Sequence, residues 1–324
     1  MNNNIYQIIS LLADGKSRSG QEIGDLLNIT RSAVWKIMHK LSELGIPVER
    51  NQGKGYRFTR PVQMLNKDLI WTKLSAETQR LIPQIELVDC VESTNNSLLS
   101  QIKDGKPSGS LLLCEHQTAG RGRLGRTWHS PYAANVYLAL YWGFKKDTAE
   151  LSGLSQTISM AILNALSKHN VPNLSLKWPN DVCHDGKKLA SVFIDMVAES
   201  HSRTDTVIGV AVNLSMPETQ HEIDQPWTDI QKITQQFPDR NQITASLIDA
   251  IYSALVEFDQ KGFTPFVARW AQHDGLINKT IMASNAHHKI AGVAKGLGSM
   301  GELLIETSEG LISFLNGSVK LRTP

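Results

Sequence analysis

The sequence predicts an α+β fold in three parts, and three observations support this reading. The first 60 residues combine helical periodicity with one hairpin pattern. The middle of the chain mixes apolar strand candidates with amphipathic helices, which is typical of an α/β domain. From about residue 277 onward, short strands alternate with turn residues, as in a small barrel or sandwich. We place the three parts at residues 1–62, 63–274 and 275–324.

The charge of the chain is nearly balanced overall and basic at its N-terminus. The 324 residues are 41% hydrophobic and carry a net charge of +2, which argues against a general polyanion binder. Residues 1–60 hold nine lysines and arginines against five acidic residues, so the rest of the chain is slightly acidic. A nucleic-acid contact is therefore expected near the N-terminus.

The cysteines and the N-terminus indicate the compartment. Cys90, Cys114 and Cys183 are far apart and form no CxxC pair, which favours a reducing environment and argues against a zinc site. The first residues lack a signal-peptide pattern, and no apolar run reaches membrane-spanning length. We expect a cytoplasmic protein with no membrane partner.

Two helices joined by a tight turn are predicted in the N-terminal part. Ser19 and Glu22 have the capping-box spacing that opens one helix, and Thr30 can cap the next. The exposed side of this last helix carries the candidate DNA-binding residues Arg31, Ser32, Trp35, Lys36 and His39. A recognition helix presents such groups to the major groove.

A β-hairpin follows, with a basic tip at Lys54 between two glycines. Such a tip suits a contact with backbone phosphate. The helix spacing, the hairpin and the local basic excess together favour a winged helix-turn-helix that binds DNA. The alternative is a helical protein-interaction module whose charges are solvated.

Polar residues in the central part lie where predicted strands end. Ser93 and Thr94 follow the strand candidate 85–91 and precede a helix, where hydroxyls and helix amides can bind a polar ligand group. By itself this position favours an ordinary N-cap over a ligand contact. Further strands are predicted at 110–115, 135–142, 174–178, 187–197 and 206–214, and further helices at 152–169 and 243–258.

The stretch GRGRLGR at residues 120–126 is the most unusual motif of the chain. No GK[ST] follows it, which excludes a Walker A loop, and no helix begins after it as a Rossmann fingerprint requires. It is too short and too well framed by strands to be a disordered nucleic-acid-binding segment. Arg121, Arg123 and Arg126 therefore suggest a mobile loop that closes over a phosphorylated ligand, since guanidinium groups match phosphate oxygens.

Five motifs in order complete the pattern: STN at 93–95, QTAGRGRLGR at 117–126, KWPND at 177–181, KKLA at 187–190 and GVAVN at 209–213. In this combination they resemble the catalytic domain of biotin–protein ligases. With the winged helix in front, essentially the whole chain is similar to the bifunctional class that is both biotin ligase and biotin-operon repressor. The resemblance implies a central ligase domain and a C-terminal SH3-like β-barrel.

The resemblance also implies activity and partners. ATP and biotin would be substrates, with Mg²⁺ on the phosphates, and the product biotinyl-5′-AMP would pass biotin to a lysine of the biotin carboxyl carrier protein of acetyl-CoA carboxylase. A homodimer loaded with the adenylate would bind operator DNA of biotin synthesis genes. A non-catalytic biotin-sensing regulator and a related lipoate or octanoate ligase remain alternatives; the intact arginine loop and Lys188 argue against the first, and the loop and the terminal strands against the second.

The resemblance assigns roles to individual residues. Biotin-binding positions are Ser93, Thr94, Asn95, Gln117, Gly120, Arg121, Gly122, Arg123 and Lys188. Lys188, Arg123 and Arg121 would be catalytic, because the reacting carboxylate and phosphate are both anions and repel each other without cations. Nucleotide-binding positions are Arg126, Trp227, Asn213 and Arg322. The sequence identifies no metal ligands.

Some positions stay open or depart from the family pattern. Lys188 beside Lys187 has an alternative reading as two solvated charges at a hairpin turn, and Asp181 either orients its turn or a nearby cation. Trp128 and Trp178 are equally consistent with core positions. Ser191 and Ala211 stand where the family more often has glycine, and Leu124 stands where some relatives have a basic residue.

Overall fold

The structure is a computed structural model that describes residues 3–51, 53–200, 203–217, 223–284, 289–315 and 320–322, with backbone alone at residues 3, 198–200 and 320–322. The helices are α1 Asn3–Leu12, α2 Gly20–Leu27, α3 Arg31–Glu43, α4 Lys67–Lys73, α5 Ala76–Leu81, α6 Thr94–Lys103, α7 Leu154–Ser167, α8 Ile230–Thr234, α9 Arg240–Lys261 and α10 Thr264–Ala271. The strands are β1 Val48–Asn51, β2 Gly55–Phe58, β3 Ile85–Val91, β4 Leu111–Gln117, β5 Val136–Phe144, β6 Leu174–Lys177, β7 Asp181–His184, β8 Lys187–Ser200, β9 Arg203–Val212, β10 Thr280–Ser284, β11 Lys289–Leu297, β12 Leu303–Thr307, β13 Gly310–Phe314 and β14 Lys320–Arg322. Within these ranges, every helix is too short or too polar to cross a membrane.

The N-terminal helices begin where the sequence predicts. Ser19 and Glu22 form a complete capping box at α2, and the Thr30 hydroxyl accepts a hydrogen bond from the backbone of Ala33 at the start of α3. Strands β1 and β2 pair antiparallel behind α3, and Phe58 of β2 is buried in the core of this unit. The helix-turn-helix with a hairpin is therefore present.

A seven-stranded sheet organises the central part, in the order β3-β4-β5-β9-β8-β7-β6. The pair β3–β4 is parallel and the other pairs are antiparallel. Side chains alternate between the faces, so Leu111 and Leu113 enter the large core with α7 and α9, whereas Leu112 packs with Leu98 of α6. The sheet is thus covered on both faces. The strand ends and turns that carry the predicted motifs lie together at one end of the sheet.

The segment after the hairpin is anchored to the central part by side-chain hydrogen bonds. Arg60 donates to the carbonyl and the hydroxyl of Ser215 at 2.8 and 2.9 Å, and the backbone N–H of Leu65 donates to Glu115 at 2.6 Å. Glu115 also forms a buried ion pair with Arg240, at 2.7 Å. The short helices α4, α5, α8 and α10 and the short strand β7 were not predicted.

The last strands form a five-stranded antiparallel sheet in the order β13-β12-β11-β10-β14. Ile281 and Ile305 from this sheet belong to the same buried core as the central helices. The indole N–H of Trp178 donates to the carbonyl of Gly301 at 3.0 Å, which fixes the sheet against the central part. The predicted short strands are present; closure into a barrel is not seen within the described ranges.

Candidate active site

The glycine-arginine loop leaves the end of β4 and folds back on itself. The N–H of Gly122 donates to the carbonyl of Arg126 at 2.7 Å, and the N–H of Trp128 donates to the carbonyl of Gly120 at 2.8 Å. A Cβ atom at position 120 would lie only 2.6 Å from the backbone carbonyl oxygen of Trp128, so only glycine fits there. The loop is therefore an ordered turn with backbone bonds of its own.

Beneath this loop lies a cleft that we call the inner cavity. It is bounded by the start of α6, the end of β4 and the middle of β8 and β9. Its lining consists of Ser93, Thr94, Asn95, Gln117, Arg121, Gly122, Arg123, Trp128, Asn180, Ser191, Val192, Phe193, Gly209, Val210 and Ala211. Seven residues predicted as biotin-binding are thus brought together, from the two motifs at 93–95 and 117–126.

The start of α6 is tied to the end of β4 by side-chain hydrogen bonds. The N–H and the hydroxyl of Thr94 both donate to Gln117 Oε1, at 2.9 and 3.1 Å, and Gln117 Nε2 donates to the Ser130 hydroxyl at 3.0 Å. Ser93 occupies the N-cap position and is 1% exposed, yet its side chain makes no capping bond. Ser93 is therefore the N-cap residue of α6, as its position in the sequence suggests, but it does not cap the helix through its hydroxyl.

The side chain of Asn95, in the first turn of α6, packs against the sheet. Its Nδ2 donates to Asp195 Oδ2 at 2.9 Å and to the carbonyl of Phe193 at 3.2 Å. Its Oδ1 lies so close to Gly209 that a Cβ there would be only 2.1 Å away. Asn95 lines the inner cavity, but its side-chain N–H groups are already hydrogen-bonded within the protein.

Arg121 lies across β8 rather than free in solvent. Its Nη1 donates to Asn96 Oδ1 at 2.6 Å, and its Nη2 is 3.2 Å from Asp195 Oδ1. The guanidinium carbon stands 4.9 Å from the centre of the Phe193 ring, a cation–π distance. One limb of the loop is thereby fastened to the sheet.

Lys188 is half-buried in an ion pair, so its reading as a solvated charge is wrong. Its Nζ is 2.7 Å from Asp181 Oδ2, and its side chain is 15% exposed, whereas the neighbouring Lys187 is exposed. The Ser191 hydroxyl donates to the other oxygen of Asp181 at 2.6 Å. Asp181 therefore orients a cation, and the serine that departs from the family pattern holds Asp181 in place.

A second cleft, which we call the side cavity, lies next to the inner cavity and shares Trp128 with it. Its lining consists of Thr127, Trp128, His129, Lys188, Asn213, Met216, Ile223, Gln225 and Trp227. The loop with Trp227 is held beside Lys188, because Lys188 N–H donates to the carbonyl of Pro226 and the Thr228 N–H donates to the carbonyl of Lys188, at 3.0 and 2.9 Å. Lys188 thus lines the side cavity, and Asp181 links it to Ser191 in the lining of the inner cavity.

Comparison with known proteins identifies the family. A model described as the biotin/lipoate A/B protein ligase family matches residues 87–213, and a helix-turn-helix model matches residues 4–57. The chain is 33% identical over 317 residues to the bifunctional ligase/repressor BirA of Salmonella typhimurium, covering 98% of this chain and 97% of that protein. The chain belongs to the bifunctional ligase/repressor family of biotin–protein ligases. It is 32% identical to the protein of that name from Escherichia coli, with the same coverage.

A solved structure agrees with this family assignment. The biotin protein ligase from Aquifex aeolicus in complex with biotin and ATP is 27% identical and has a TM-score of 0.64. The match covers 75% of this chain and 99% of that chain. The central fold of the ligase/repressor chain is therefore that of a biotin–protein ligase.

The remaining predicted residues of the ligase/repressor site lie in different environments. Burial lowers the pKa of Arg123 below its usual value, and the nearby Asp181 carboxylate opposes that shift. Arg126 is exposed at the end of the loop, and Asn213 is buried, with its amide donating to the carbonyl of Thr228 at 3.1 Å. The side chain of Arg322 lies outside the described residues.

Three further residues of the site, of which the sequence suggested only a core position for Trp128, are brought to light by the structure. Trp128 lines both cavities, and its indole N–H is buried with no hydrogen-bond partner within the described ranges. Lys232 holds its Nζ 4.1 Å from the centre of the Trp227 ring. Asp195 pairs with Arg121 across 74 residues of sequence. The position of Trp128, directly after the loop, was the one sequence signal available for these three.

No group of three or more His, Cys, Asp or Glu side chains suited to a metal ion occurs in the part of the chain that the structure describes. The pair of carboxylate oxygens nearest to Lys188, on Asp181, is already hydrogen-bonded to Lys188 and Ser191. Mg²⁺ usually keeps several waters and binds through one or two carboxylates together with substrate phosphates. This donor set fits a metal that arrives on a nucleotide better than one held in a protein cage.

The candidate DNA-binding residues form one exposed surface. Arg31, Ser32, Trp35, Lys36 and His39 are all solvent-exposed on α3, opposite the buried Val34 and Met38. Lys54 is exposed at the tip of the hairpin. This helix and hairpin tip have the placement expected of a recognition helix and its wing.

Proposed function

We propose that the protein is an ATP-dependent biotin–protein ligase that also represses transcription of biotin synthesis genes. The observation that carries the proposal is the position of Lys188, a cation that lines the side cavity and pairs with Asp181, which is hydrogen-bonded to Ser191 of the inner cavity. An adenylate has two parts, an acyl group and a nucleotide, and two joined cavities suit such a molecule. The family membership and the helix-turn-helix agree with this double function.

The proposed reaction has two steps. An oxygen of the biotin carboxylate attacks the α-phosphorus of ATP, the bond from that phosphorus to the bridging oxygen breaks, and pyrophosphate leaves. The neutral amine of an acceptor lysine then attacks the acyl carbon, the bond to the phosphate oxygen breaks, AMP leaves and the amine loses a proton. No step requires a nucleophile from this chain.

The chain would accelerate the first step by placing charge. We propose that Lys188, Arg123 and Arg121 offset the repulsion between carboxylate and phosphate, which is largest when the two anions meet. Asp181 pairs with Lys188 at 2.7 Å and its charge also acts on Arg123, so the ion pair keeps Lys188 in place before the anions arrive. Fixed cations need no rearrangement at the moment of reaction.

The other residues would hold the substrates. The proposed biotin contacts are Ser93, Thr94, Asn95, Gln117, Gly120, Arg121, Gly122, Arg123 and Lys188, and the proposed nucleotide contacts are Arg126, Trp227, Asn213 and Arg322. Mg²⁺ would bind with the ATP phosphates. The ordered loop over the inner cavity supports this assignment, because a mixed anhydride needs shielding from water.

We further propose domains at 1–62, 63–274 and 275–324, the last of them an SH3-like barrel built on the five-stranded sheet. A homodimer loaded with adenylate would bind operator DNA. Strand β8 beyond Val192 pairs with β9 on one side and with no other strand in the described ranges, and Met196, Val197 and Leu124 are exposed nearby. An unpaired, apolar strand edge supports pairing with a second copy. These partners imply a cytoplasmic protein.

Transfer to an acceptor protein tests the proposal. Purified full-length protein is incubated with ATP, Mg²⁺, biotin carboxyl carrier protein and either biotin or lipoate, and intact mass identifies the modified lysine. We expect one biotinyl group per acceptor and no lipoyl group. Lipoyl transfer would change the substrate class, and no transfer with either acid would leave a DNA-binding sensor.

A further inference from the structure

We propose that Asp195 is a positioning residue that holds Arg121, and through it the glycine-arginine loop, against strand β8. Asp195 does not line the inner cavity, so it acts through the arginine and not on a ligand. Asp195 Oδ1 and Oδ2 lie 3.2 and 3.4 Å from the two terminal nitrogens of Arg121. The paired contact of a carboxylate with both nitrogens of a guanidinium fixes direction as well as distance.

The partners of Arg121 differ in chemistry and together leave it one orientation. Asp195 supplies a charge, Asn96 supplies a neutral oxygen at 2.6 Å, and the ring of Phe193 lies under the guanidinium at 4.9 Å. The two side chains of this ion pair are 40% and 19% exposed, and an isolated ion pair with such exposure adds little to the stability of the folded state. Here the hydrogen bond and the ring limit the arginine to the geometry in which the ion pair forms.

Asp195 is itself held in place, by its position on strand β8 and by a hydrogen bond from Asn95 of α6. Asn95 Nδ2 donates to Asp195 Oδ2 at 2.9 Å, and Asn95 is packed against Gly209 of the neighbouring strand. Phe193 and Asp195 are two residues apart on β8, so both side chains point to the same face. A rigid strand therefore sets the position of the guanidinium.

Holding Arg121 also holds the rest of the loop. The backbone of Arg121 pairs with Thr127, and Gly122 is hydrogen-bonded to Arg126, so the two limbs of the loop move together. Opening the loop requires the contacts of Arg121 to break first. Asp195 therefore lowers the frequency of opening before any ligand binds, and afterwards it slows the escape of whatever occupies the inner cavity.

Limited proteolysis of the ligand-free protein tests the holding role directly. The loop contains three arginines, which are trypsin sites, and cleavage of a transiently open segment follows the population of the open form. We expect Asp195→Asn to increase the rate of cleavage within residues 121–126 about tenfold, equivalent to about 1.4 kcal/mol. Fragments are identified by mass.

The matched control is Glu257→Gln. Glu257 pairs with Arg269 through two contacts of 2.8 Å, and the two side chains are 24% and 50% exposed, close to the values for the Asp195 pair. This pair lies on α9 and α10, away from the loop. We expect wild-type cleavage of the loop in Glu257→Gln. Equal cleavage rates in Asp195→Asn and wild type would overturn the proposal.

Retention of the adenylate is the second readout, and this part rests on the proposed function. Labelled biotinyl-AMP is formed on the protein, excess unlabelled biotin is added, and the release of label is followed. We expect about tenfold faster release from Asp195→Asn, and largely restored retention in Asp195→Glu, which keeps the charge. Arg121→Ala combined with Asp195→Asn should release no faster than Arg121→Ala alone.

The outcomes separate the two proposals. Additive effects in the double variant would show that Asp195 does not act through Arg121 and would overturn the inference. Wild-type retention in Asp195→Asn, with an adenylate formed normally, would overturn it as well. A wild-type protein that forms no adenylate would instead remove the proposed function, and the proteolysis then decides the role of Asp195.

Discussion

Replacing Gly209 by alanine is expected to damage the inner cavity from within the sheet. Gly209 lies on β9, and an added Cβ would be 2.1 Å from Oδ1 and 2.9 Å from Cγ of Asn95. Asn95 is 4% exposed and cannot move aside without losing its hydrogen bonds to Asp195 and to the backbone of β8. The methyl group and the amide cannot both occupy this place.

The expected cost combines two effects. Two hydrogen bonds of about 1 kcal/mol each are lost when Asn95 is displaced. Overpacking of a tight site adds about 1–3 kcal/mol. The sum is about 3–5 kcal/mol, and in a domain of about 200 residues each kcal/mol lowers the unfolding midpoint by about 2–4 °C. The ligase transition should therefore shift down by about 6 °C or more.

Calorimetry measures both consequences on the full chain. Scanning calorimetry gives the midpoint of the ligase transition, and titration with biotin gives the affinity, which we expect to fall at least about tenfold because Asn95 and Thr94 share one turn. Gly20→Ala is the control, since its Cβ would meet only side-chain atoms at 3.4 and 3.5 Å. A Gly209→Ala protein with the wild-type midpoint and affinity would show that Asn95 can make room for the added methyl group.

Three further predictions concern the charged groups. Lys188→Ala should slow adenylate formation by a factor of about 10²–10³, measured as pyrophosphate release. Replacing the exposed neighbour, in Lys187→Ala, should leave the wild-type rate. Equal rates in the two variants would exclude a role for Lys188. Arg240→Met leaves the Glu115 carboxylate buried and unpaired, so the free energy of unfolding of the ligase part should fall by about 3–5 kcal/mol; an unchanged midpoint in urea would contradict this. Lys36→Ala should reduce the salt dependence of operator binding by about one unit of slope in fluorescence anisotropy, and an unchanged slope would mean that Lys36 contacts no phosphate.

Local signals were sufficient for the N-terminal part. The capping box at Ser19 and the cap at Thr30 act within four residues, so they can be read without knowing the fold. Six of the seven strands of the central sheet were also predictable from their apolar residues, whereas the four-residue strand β7 was missed. The helices α4 and α5 were missed, since they have seven and six residues and show too little periodicity, although Asn66 and Ser75 cap them.

The contacts that complete the site were not predictable from one sequence. Asp195 reads as an ordinary polar residue on a strand, and its partner Arg121 is 74 residues away. The ion pair of Glu115 and Arg240 spans 125 residues. Such pairs depend on the packing of distant elements, whereas the motif residues could be recognised because each motif is contiguous in the chain.

Pyrophosphate release in the absence of acceptor is the direct test of whether the protein forms biotinyl-AMP and retains it. Purified protein is mixed with ATP, Mg²⁺ and biotin, alongside Arg123→Ala and a reaction with lipoate in place of biotin. We expect a biotin-dependent burst of about one pyrophosphate per active site that then stops, because the ordered loop retains the adenylate. Arg123→Ala should release pyrophosphate more slowly but without stopping, since it loses a cation of the reaction and a part of the loop. A folded protein that releases no pyrophosphate with biotin would contradict the account.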